Sequence, residues 1–366
     1  MIYIPVGRLQ AGMRLAADVK AYNSNHEQAM LLPKDTVLTQ RFVNKIGAFR
    51  IEGAYIDDGR KYIVNIKKII DDQTRRNIVT NLEDTFTHCH DNNSVLSSDS
   101  IASIENISSN LVNSIINEDS HAVGIVDLQA YDDCTYHHSL SVAVISIAIG
   151  AKMELSKEKL ALLGTAALLH DIGKLDVPIE IITKPARLTD DEFTTIKNHP
   201  QLGANHLMEN NEHQEEIYQG VLMHHEKYDG TGYPNGLRGE EIPLFARIIS
   251  IADVYDALTA TRPYRKPMQP QEAMEYIMAN GGTVFDFDII NIFLQVIEPF
   301  PVGCCVKLSD GRFAVVTAPS KSIPLRPVVQ TVDNYSKTLD LSNDVTLSSI
   351  VITGIDYSFT VEKKPN

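Results

Sequence analysis

The chain of 366 residues is 43% hydrophobic and 22% charged, which is typical of a globular protein with two or three domains and a sizeable core. The formal net charge is −14, and the sequence has no cluster of Lys or Arg. Both features argue against DNA and other long nucleic acids as partners. The four cysteines show no paired spacing, which argues against a disulfide framework or a zinc knuckle and favours a reducing, cytoplasmic location.

Residues 1–62 alternate short strand-forming runs with turns, and the stretch 39–49 predicts one short helix. The pattern indicates a small α+β or β-rich N-terminal module whose role stays open. The first residues lack the basic and apolar regions of a signal peptide. The longest apolar stretch, 142–151, is too short to cross a bilayer, so the sequence predicts no membrane segment.

Helical periodicity begins after this module. In residues 63–120, isoleucine and leucine recur at steps of three and four, which predicts a helical linker segment. Residues 121–300 predict a series of apolar helices, with a capping box formed by Thr189 and Glu192. His138 lies on the apolar stripe of the first of them. The other predicted helices in this region run over residues 156–170, 189–199, 217–225, 244–259, 271–279 and 289–296.

After residue 300 the hydrophobic residues recur every second position, as in a β-strand, instead of at the helical spacing of three and four. The runs 305–308 and 312–316 flank a Ser-Asp-Gly turn, which is a hairpin signal, and two further strands are predicted at 328–332 and 349–353. Residues 301–366 therefore indicate a small C-terminal β module. The whole chain is predicted to be mainly α, with a helical-bundle domain between two small strand-containing modules.

His170 and Asp171 are neighbours at the end of an otherwise apolar run, and Lys174 follows within one turn. Burying an imidazole and a carboxylate together is unfavourable unless another group compensates for their lost hydration, and a divalent metal ion does so. Neighbouring residues on a helix point about 100° apart. His170 can therefore bind one metal ion while the two oxygens of Asp171 bridge to a second.

Other histidines and one aspartate recur at helix-sized intervals around this pair. The steps from 138 through 170, 199 and 224 to 253 are 32, 29, 25 and 28 residues, so a bundle could bring one polar side chain per helix to a common centre. Nitrogen and carboxylate ligands without a thiolate suit iron, manganese or zinc. Two ions bridged by a carboxylate indicate hydrolysis of a phosphoester. The predicted ligands are His138, His170, Asp171, His199, His224, His225 and Asp253.

Six further histidines are interpreted as ordinary core or surface residues. The pair His88 and His90 could bind a metal weakly, but the same interpretation is preferred for it. The other members of this group are His26, His121, His206 and His213.

Residues 121–300 resemble the HD-GYP subfamily of HD-domain metal-dependent phosphohydrolases. The pair His170-Asp171 resembles the HD signature, and the stretch 224–234, His-His-Glu-Lys-Tyr-Asp-Gly-Thr-Gly-Tyr-Pro, resembles the longer HD-GYP signature. The segments that begin at Asp253 and Arg262 are similar to its later motifs. The resemblance implies an HD-type helical bundle and a phosphodiesterase that cleaves cyclic di-GMP or the hybrid cyclic GMP-AMP.

The resemblance also implies how the ligands divide between two ions. One ion would take His138, His170, Asp171 and Asp253, and the other would take Asp171, His199, His224 and His225. Iron or manganese is expected, with zinc, nickel or magnesium as alternatives. Lys174 would hold a phosphate or the activated water, with Asp171 as the second catalytic residue.

The substrate contacts implied by the resemblance lie outside the ligand set. Arg262 and Arg265 would grip the phosphates of the dinucleotide, because the guanidinium fork fits that geometry. Asp229, in the glycine-rich loop, is a further substrate-binding candidate. The loop around Gly232, Tyr233 and Pro234 would contact GGDEF-domain cyclases, or serve only as a structural turn. A homodimer is a further alternative.

Three functions stay open from the sequence: a cyclic dinucleotide phosphodiesterase, another HD-type nucleotide phosphohydrolase, and a non-catalytic dinucleotide receptor. The Gly-Tyr-Pro signature argues against the second function, and the complete set of predicted ligands argues against the third.

Some HD-GYP proteins hold a third metal through a glutamate four residues before the first histidine ligand, where this chain has Cys134. A neutral thiol is a poor ligand for hard ions. We therefore expect two metals and slow or no conversion of the linear dinucleotide to GMP.

Overall fold

The structure is a computed structural model. It describes residues 1–22, 28–49, 51, 53–57, 59, 70, 72–91, 96–116, 123–124, 135–184, 186–208, 215–260, 267–320, 323–332 and 337–356. Among the described helices, none combines the length and the hydropathy that a membrane span requires.

The N-terminal module consists of a three-stranded sheet, a two-stranded sheet and one α-helix. Strands β1 (Ile2–Pro5), β2 (Arg14–Leu15), β3 (Val19–Tyr22) and β4 (Gln28–Leu32) precede helix α1 (Gln40–Ala48) and strand β5 (Gly53–Asp57). β5 lies between β1 and β2, antiparallel to both, and β3 pairs with β4. The side chain of Thr39 accepts a hydrogen bond from the N–H of Phe42, so α1 begins where the sequence predicts.

Eleven described helices, α2 to α12 in this numbering, form the central bundle. They are α2 (Asp72–Asp91), α3 (Ser98–Ile116), α4 (Thr135–Lys152), α5 (Lys157–Leu169), α6 (Ile179–Ile182), α7 (Asp190–Ile196), α8 (His199–Met208), α9 (Glu215–Met223), α10 (Leu244–Thr259), α11 (Pro270–Ala279) and α12 (Phe287–Val296). A two-residue strand, β6 (Val123–Gly124), lies between α3 and α4 and pairs in parallel with β7 (Ile297–Glu298) at the end of α12.

One continuous hydrophobic core joins these helices. α4 and α5 are buried on nearly every face, and they are therefore apolar almost all round instead of showing a single stripe. Residues of α2 and α3, such as Phe86 and Leu111, belong to the same core as residues of α5 and α10. The helices of the predicted linker segment thus pack onto the bundle; the boundaries at 62, 120 and 300 stay a prediction.

The C-terminal module is a five-stranded antiparallel sheet. Its strands are β8 (Cys305–Leu308), β9 (Phe313–Ala318), β10 (Val328–Thr331), β11 (Thr338–Asp340) and β12 (Ile352–Ile355), in the order β11-β10-β9-β8-β12. Cys305 and Val315 of this sheet pack into the core of the N-terminal module, and the N–H of Tyr3 donates to the carbonyl of Gly303 at 3.1 Å. The two small modules therefore share a buried interface.

The predicted fold class is confirmed: the protein is mainly α, with a helical bundle and two small strand-containing modules. The predictions for α10 and for the hairpin β8–β9 agree closely with the structure. The strand predicted at 349–353 lies instead at β12. The helix predicted over 189–199 is wrong at its end, because α7 stops at Ile196 and a separate helix, α8, begins at His199.

Candidate metal centre

Three histidines of the predicted centre lie just beyond the C-terminal ends of helices: His170 after α5, His199 after α7 and His224 after α9. In each case Nδ1 of the ring lies 2.7–2.8 Å from the carbonyl oxygen three residues earlier. The last carbonyls of a helix have no partner within it, so they are free to accept a hydrogen bond from the ring. Nδ1 therefore carries the hydrogen, and Nε2 keeps a free lone pair.

The junction between α7 and α8 shows how the sequence produces such an end. Pro200 has no N–H, so the carbonyl of Ile196 cannot receive the hydrogen bond that would continue α7. Nδ1 of His199 donates to that carbonyl instead, at 2.7 Å. One proline thus ends the helix and frees the acceptor that orients a ligand.

His138 and Asp253 lie within helices that pack against each other, α4 and α10. Nε2 of His138 is 3.1 Å from Oδ1 of Asp253. On the other side of the ring, Nδ1 is 2.7 Å from Oδ2 of Asp256, one helical turn beyond Asp253. The buried carboxylate of Asp256 therefore orients His138, as the backbone carbonyls orient the other three rings.

The carboxylate of Asp171 lies between two groups of histidines, one that includes His170 and one that includes His199, and it is 1% exposed. Its Oδ2 is 3.4 Å from Nε2 of His170, and its Oδ1 is 3.3 Å from Nε2 of His199. One oxygen thus faces each group, which is the arrangement of a carboxylate that bridges two ions.

Two clusters of potential ligands result. Donor atoms of His138, His170 and Asp171 lie within 4.8 Å of one another, and so do those of His199, His224 and His225. We call the first cluster, together with Asp253, the carboxylate half, and the second the imidazole half. Asp171 joins the two.

The donor geometry fits cations. Nε2 of His199 lies 3.3 Å from Nε2 of His224, and both rings carry their hydrogen on Nδ1. Two lone pairs that face each other in a buried site repel unless a positive ion lies close to both. Among the described residues, Nε2 of His170 and Oδ1 of Asp171 are also buried without a hydrogen-bond partner. A divalent metal ion in each half would satisfy these atoms.

The pKa values of the histidines shift in opposite directions in the two halves. Burial lowers the pKa of His138, but the hydrogen bonds that the ring donates to Asp253 and Asp256 outweigh burial and raise that pKa to about 10. In the imidazole half, burial lowers the pKa of His225 to about 4 and holds the pKa of His224 well below its ordinary value. Burial would raise the pKa of Asp171, yet Lys174 and the nearby histidines hold it well below the usual range.

Lys174 lies on the short 3₁₀ helix Ile172–Asp176 that follows Asp171. Its Nζ is 2.5 Å from Oδ2 of Asp171, and its side chain is 32% exposed, so it reaches from the buried carboxylate to solvent. Gly173 allows this turn to pack on α8, because a Cβ there would lie 2.1 Å from the carbonyl oxygen of His199. The sequence therefore fixes the ammonium group beside the centre.

The segment 226–237, which we call the signature loop, is held by one buried carboxylate. Glu226 accepts hydrogen bonds from the N–H groups of Asn235, Gly236 and Leu237, at 2.6–3.1 Å. Asp229 accepts from the N–H and the hydroxyl of Thr231, a contact within the loop. Its predicted role in substrate binding stays a prediction.

The structure brings all seven predicted ligands and Lys174 together; their roles stay predictions. Arg262, Arg265 and Cys134 lie outside the described residues, as do His26, His121 and His213. His206, interpreted above as an ordinary histidine, pairs with Asp176 at 2.6 Å, which agrees with that interpretation.

Sequence reasoning missed the groups behind the ligands. Asp256 could have been found, because it lies three residues after Asp253 and shares its helix face. Glu226 carries a weaker signal, since a glutamate that follows two histidines is equally plausible as a surface residue. The backbone carbonyls that orient three of the rings leave no side-chain signal at all.

Comparison with known proteins agrees with this geometry. The family model described as "HD domain" matches residues 119–289. A solved structure, an HDG"Y"P protein from Bdellovibrio bacteriovorus, superimposes with a TM-score of 0.51 over 80% of this chain and 97% of that one, at 18% identity, which supports the fold. Residues 119–289 are therefore similar to the HD domain, and the superposition supports the same fold.

Curated proteins similar to this chain are cyclic dinucleotide phosphodiesterases. A cyclic di-GMP phosphodiesterase of Pseudomonas aeruginosa is 40% identical over 203 residues, which cover 56% of this chain and 49% of the relative. The cyclic di-GMP phosphodiesterase response regulator RpfG of Xanthomonas campestris is 40% identical over 150 residues, 40% of this chain and 39% of the relative. A 3′3′-cGAMP-specific phosphodiesterase of Vibrio cholerae is 40% identical over 152 residues, which cover 42% of this chain and 33% of the relative. The chain spans half or less of the length of these three relatives.

Proposed function

We propose that the protein is a metal-dependent phosphodiesterase that hydrolyses cyclic di-GMP, or a related cyclic dinucleotide, to the linear dinucleotide. The observation that carries this proposal is the position of Asp171, whose two oxygens face the carboxylate half and the imidazole half, with Lys174 beside it. The choice of substrate is supported by the curated relatives, which are named as cyclic di-GMP and 3′3′-cGAMP phosphodiesterases.

The centre would hold two divalent ions. The carboxylate half would bind one through His138, His170, Asp171 and Asp253, and the imidazole half would bind the other through Asp171, His199, His224 and His225. When bound, such a pair lowers the pKa of a water molecule and neutralises charge on phosphate oxygens. Iron or manganese suits the mixed nitrogen and oxygen donors.

The side chains of the protein do the remaining work. The Nδ1–H groups of His170, His199 and His224 donate to backbone carbonyls, which fixes the tautomer of each neutral ring and leaves its Nε2 lone pair for an ion. The ammonium of Lys174 reaches solvent from Asp171 and can hold an oxygen of the scissile phosphate. Arg262 and Arg265 would bind the phosphates of the dinucleotide.

A turnover assay tests the function directly. Purified protein is stripped with a chelator, reloaded with Mn²⁺ or anaerobically with Fe²⁺, and incubated with cyclic di-GMP or 3′3′-cyclic GMP-AMP. We expect metal-dependent release of the linear dinucleotide. Tight binding without turnover would identify a receptor instead, and hydrolysis of mononucleotides alone would identify another HD-type phosphohydrolase.

The number of metals is a finer part of the proposal. With two ions, the linear dinucleotide accumulates and GMP appears slowly or not at all. Elemental analysis per chain and the ratio of products over time measure this. Three tightly bound ions, or rapid complete conversion to GMP, would show that Cys134 or a neighbouring carboxylate completes a third site.

A GGDEF-domain protein is the proposed partner of the signature loop. The outer residues of the signature loop, Pro234, Asn235 and Gly236, are exposed and could contact a GGDEF-domain protein. A pull-down of a purified GGDEF domain by the wild-type protein, but not by a Pro234→Glu variant, tests this contact. Equal capture by both proteins would place the contact elsewhere.

A further inference from the structure

One ligand of the centre differs from the other four histidines in how its ring is held. His170, His199 and His224 are each hydrogen-bonded to a backbone carbonyl, and His138 is hydrogen-bonded to Asp256. In the described part of the chain, neither ring nitrogen of His225 makes a hydrogen bond. A ligand ring without such a bond needs another source of orientation, because rotation about its side-chain torsions would move Nε2 away from the ion.

An aromatic ring fills this role. The ring of Tyr233 stacks on that of His225, with 4.9 Å between the centroids and 30° between the planes. His224 lies against the same imidazole at 4.2 Å and 43°, and His199 meets it edge-on at 5.0 Å and 86°. The other two rings are ligands themselves, so Tyr233 is the contact that comes from outside the ligand set.

The backbone around Tyr233 is held by contacts within the protein. Its N–H donates to the carbonyl of His225 at 3.2 Å, which ties the ring to the residue that it stacks on. Gly232 packs so closely that a Cβ would lie 2.3 Å from the backbone nitrogen of Lys227. Glu226 binds the far side of the loop through three backbone N–H groups.

The side chain of Tyr233 has a second neighbour. Nζ of Lys197 lies 5.3 Å from the centroid of the Tyr233 ring and 4.8 Å from that of Phe193. A cation this close to an aromatic face is attracted by its negative π-surface. Lys197 therefore restrains Tyr233 from the side of α7, while the loop backbone restrains it from the other end.

We propose that Tyr233 is a positioning residue for the imidazole half: its ring holds His225 in the rotamer that binds the second ion. The proposal rests on the two-ion part of the proposed function. It assigns to the tyrosine of the signature loop a role within the metal centre. The ring, and not the hydroxyl, is the part that acts.

Metal titration tests the proposal without turnover. Chelated wild-type protein is titrated with Mn²⁺ and with Zn²⁺ by calorimetry, beside Tyr233→Leu, Tyr233→Phe and His225→Gln. Tyr228→Leu is the matched control, since it removes a tyrosine from the same loop whose ring, among the described residues, stacks on none of the histidine ligands. The unfolding midpoint of each chelated protein is measured in parallel.

We expect two binding events in the wild type. In Tyr233→Leu one event weakens by roughly tenfold, as for the loss of an outer-shell partner, and it is the same event that His225→Gln abolishes. Tyr233→Phe and Tyr228→Leu bind both ions as the wild type does. The chelated midpoints of the two leucine variants agree, which separates ligand orientation from folding.

Four results would overturn the proposal: unchanged binding in Tyr233→Leu, an equal loss of both ions, a weakening of Tyr233→Phe as large as that of Tyr233→Leu, or a wild type that binds fewer than two ions. Two-ion binding with selective weakening, in a protein that hydrolyses no cyclic dinucleotide, would support the position of Tyr233 and contradict the proposed function. The two failures are therefore distinguishable.

Discussion

The carboxylate half and the imidazole half of the centre face each other across Asp171, yet they differ in the charge of their side chains and in the pKa values of their histidines. In the carboxylate half, Asp253 and Asp256 flank His138 and raise its pKa to about 10. In the imidazole half, three neighbouring histidines share one carboxylate, and burial lowers the pKa of His225 to about 4. The first half attracts positive charge strongly, whereas the second excludes a proton and keeps its lone pairs free.

This difference shows how one helical bundle can build two unlike sites. Anionic oxygen donors favour harder ions such as Mn²⁺, and a cluster of neutral imidazoles favours ions such as Zn²⁺ or Fe²⁺. Helix-end carbonyls orient one ring of the carboxylate half, His170, and two rings of the imidazole half, His199 and His224. The remaining ring of each half is held differently: a side-chain carboxylate positions His138 and, as we propose, the ring of Tyr233 positions His225.

The largest effect is expected at the residue that both halves share. Asp171→Ala removes an oxygen from each, so both ions weaken together and hydrolysis falls to background, well beyond the roughly 10–100-fold cost of losing an outer-shell partner. Turnover, metal content and circular dichroism are measured on the same sample. Wild-type turnover by a folded Asp171→Ala protein would show that the halves work independently. His170→Ala should likewise abolish hydrolysis and leave the helical fold largely intact.

Lys174→Met should lower kcat by about 10²–10³-fold, the range observed when one preorganised donor to a developing charge is removed. Metal content should stay at the wild-type level, because the ammonium is no ligand of either half. Single-turnover kinetics with Mn²⁺-loaded protein measure the chemical step. A variant that loses metal in proportion to activity would mean that Lys174 acts only by holding Asp171 in place.

Asp256→Leu should affect the carboxylate half alone. Without the acceptor for Nδ1, the ring of His138 loses its orientation, and we expect a roughly 10–100-fold loss of affinity for one ion. Asp256→Asn is the control, since its amide oxygen can still accept the ring hydrogen. Calorimetric titration separates the two ions. A loss of affinity in both halves would show that they are coupled beyond Asp171.

The smallest effect concerns the pH dependence of the metal-free protein. The raised pKa of His138 stabilises the fold below about pH 6.5, and this contribution is lost as the pH rises through about 10. The lowered pKa of His225 acts at the other end: as the pH falls from 6.5 through about 4, the unfolded chain binds protons more readily and stability decreases.

Chelated protein should therefore be most stable near neutral pH, with shifts of a few degrees in the unfolding midpoint on either side. His138→Gln should flatten the alkaline limb and His225→Gln the acidic limb. Identical pH profiles for the two variants would contradict the opposite electrostatics of the two halves.

The sequence by itself predicted the fold class, which the structure confirms, and the set of side chains that meet at the centre, whose roles as ligands stay predictions. Histidines and aspartates at helix-sized intervals, within apolar runs, predict a centre in a bundle, because burial of so many polar groups requires a compensating ion. Capping residues such as Thr39 and Thr189 fixed helix starts, since their side chains satisfy N–H groups locally. These are short-range effects, which a sequence displays directly.

Only the tertiary structure decided what orients each ligand. The acceptors for His170, His199 and His224 are backbone carbonyls, and these become available only where a helix ends. The stacking of Tyr233 on His225 depends on a loop that is held by Glu226 through residues 235–237, and the pairing of His138 with Asp256 joins residues 118 positions apart. No periodicity records such contacts, because they arise when separate helices pack and not from local preference.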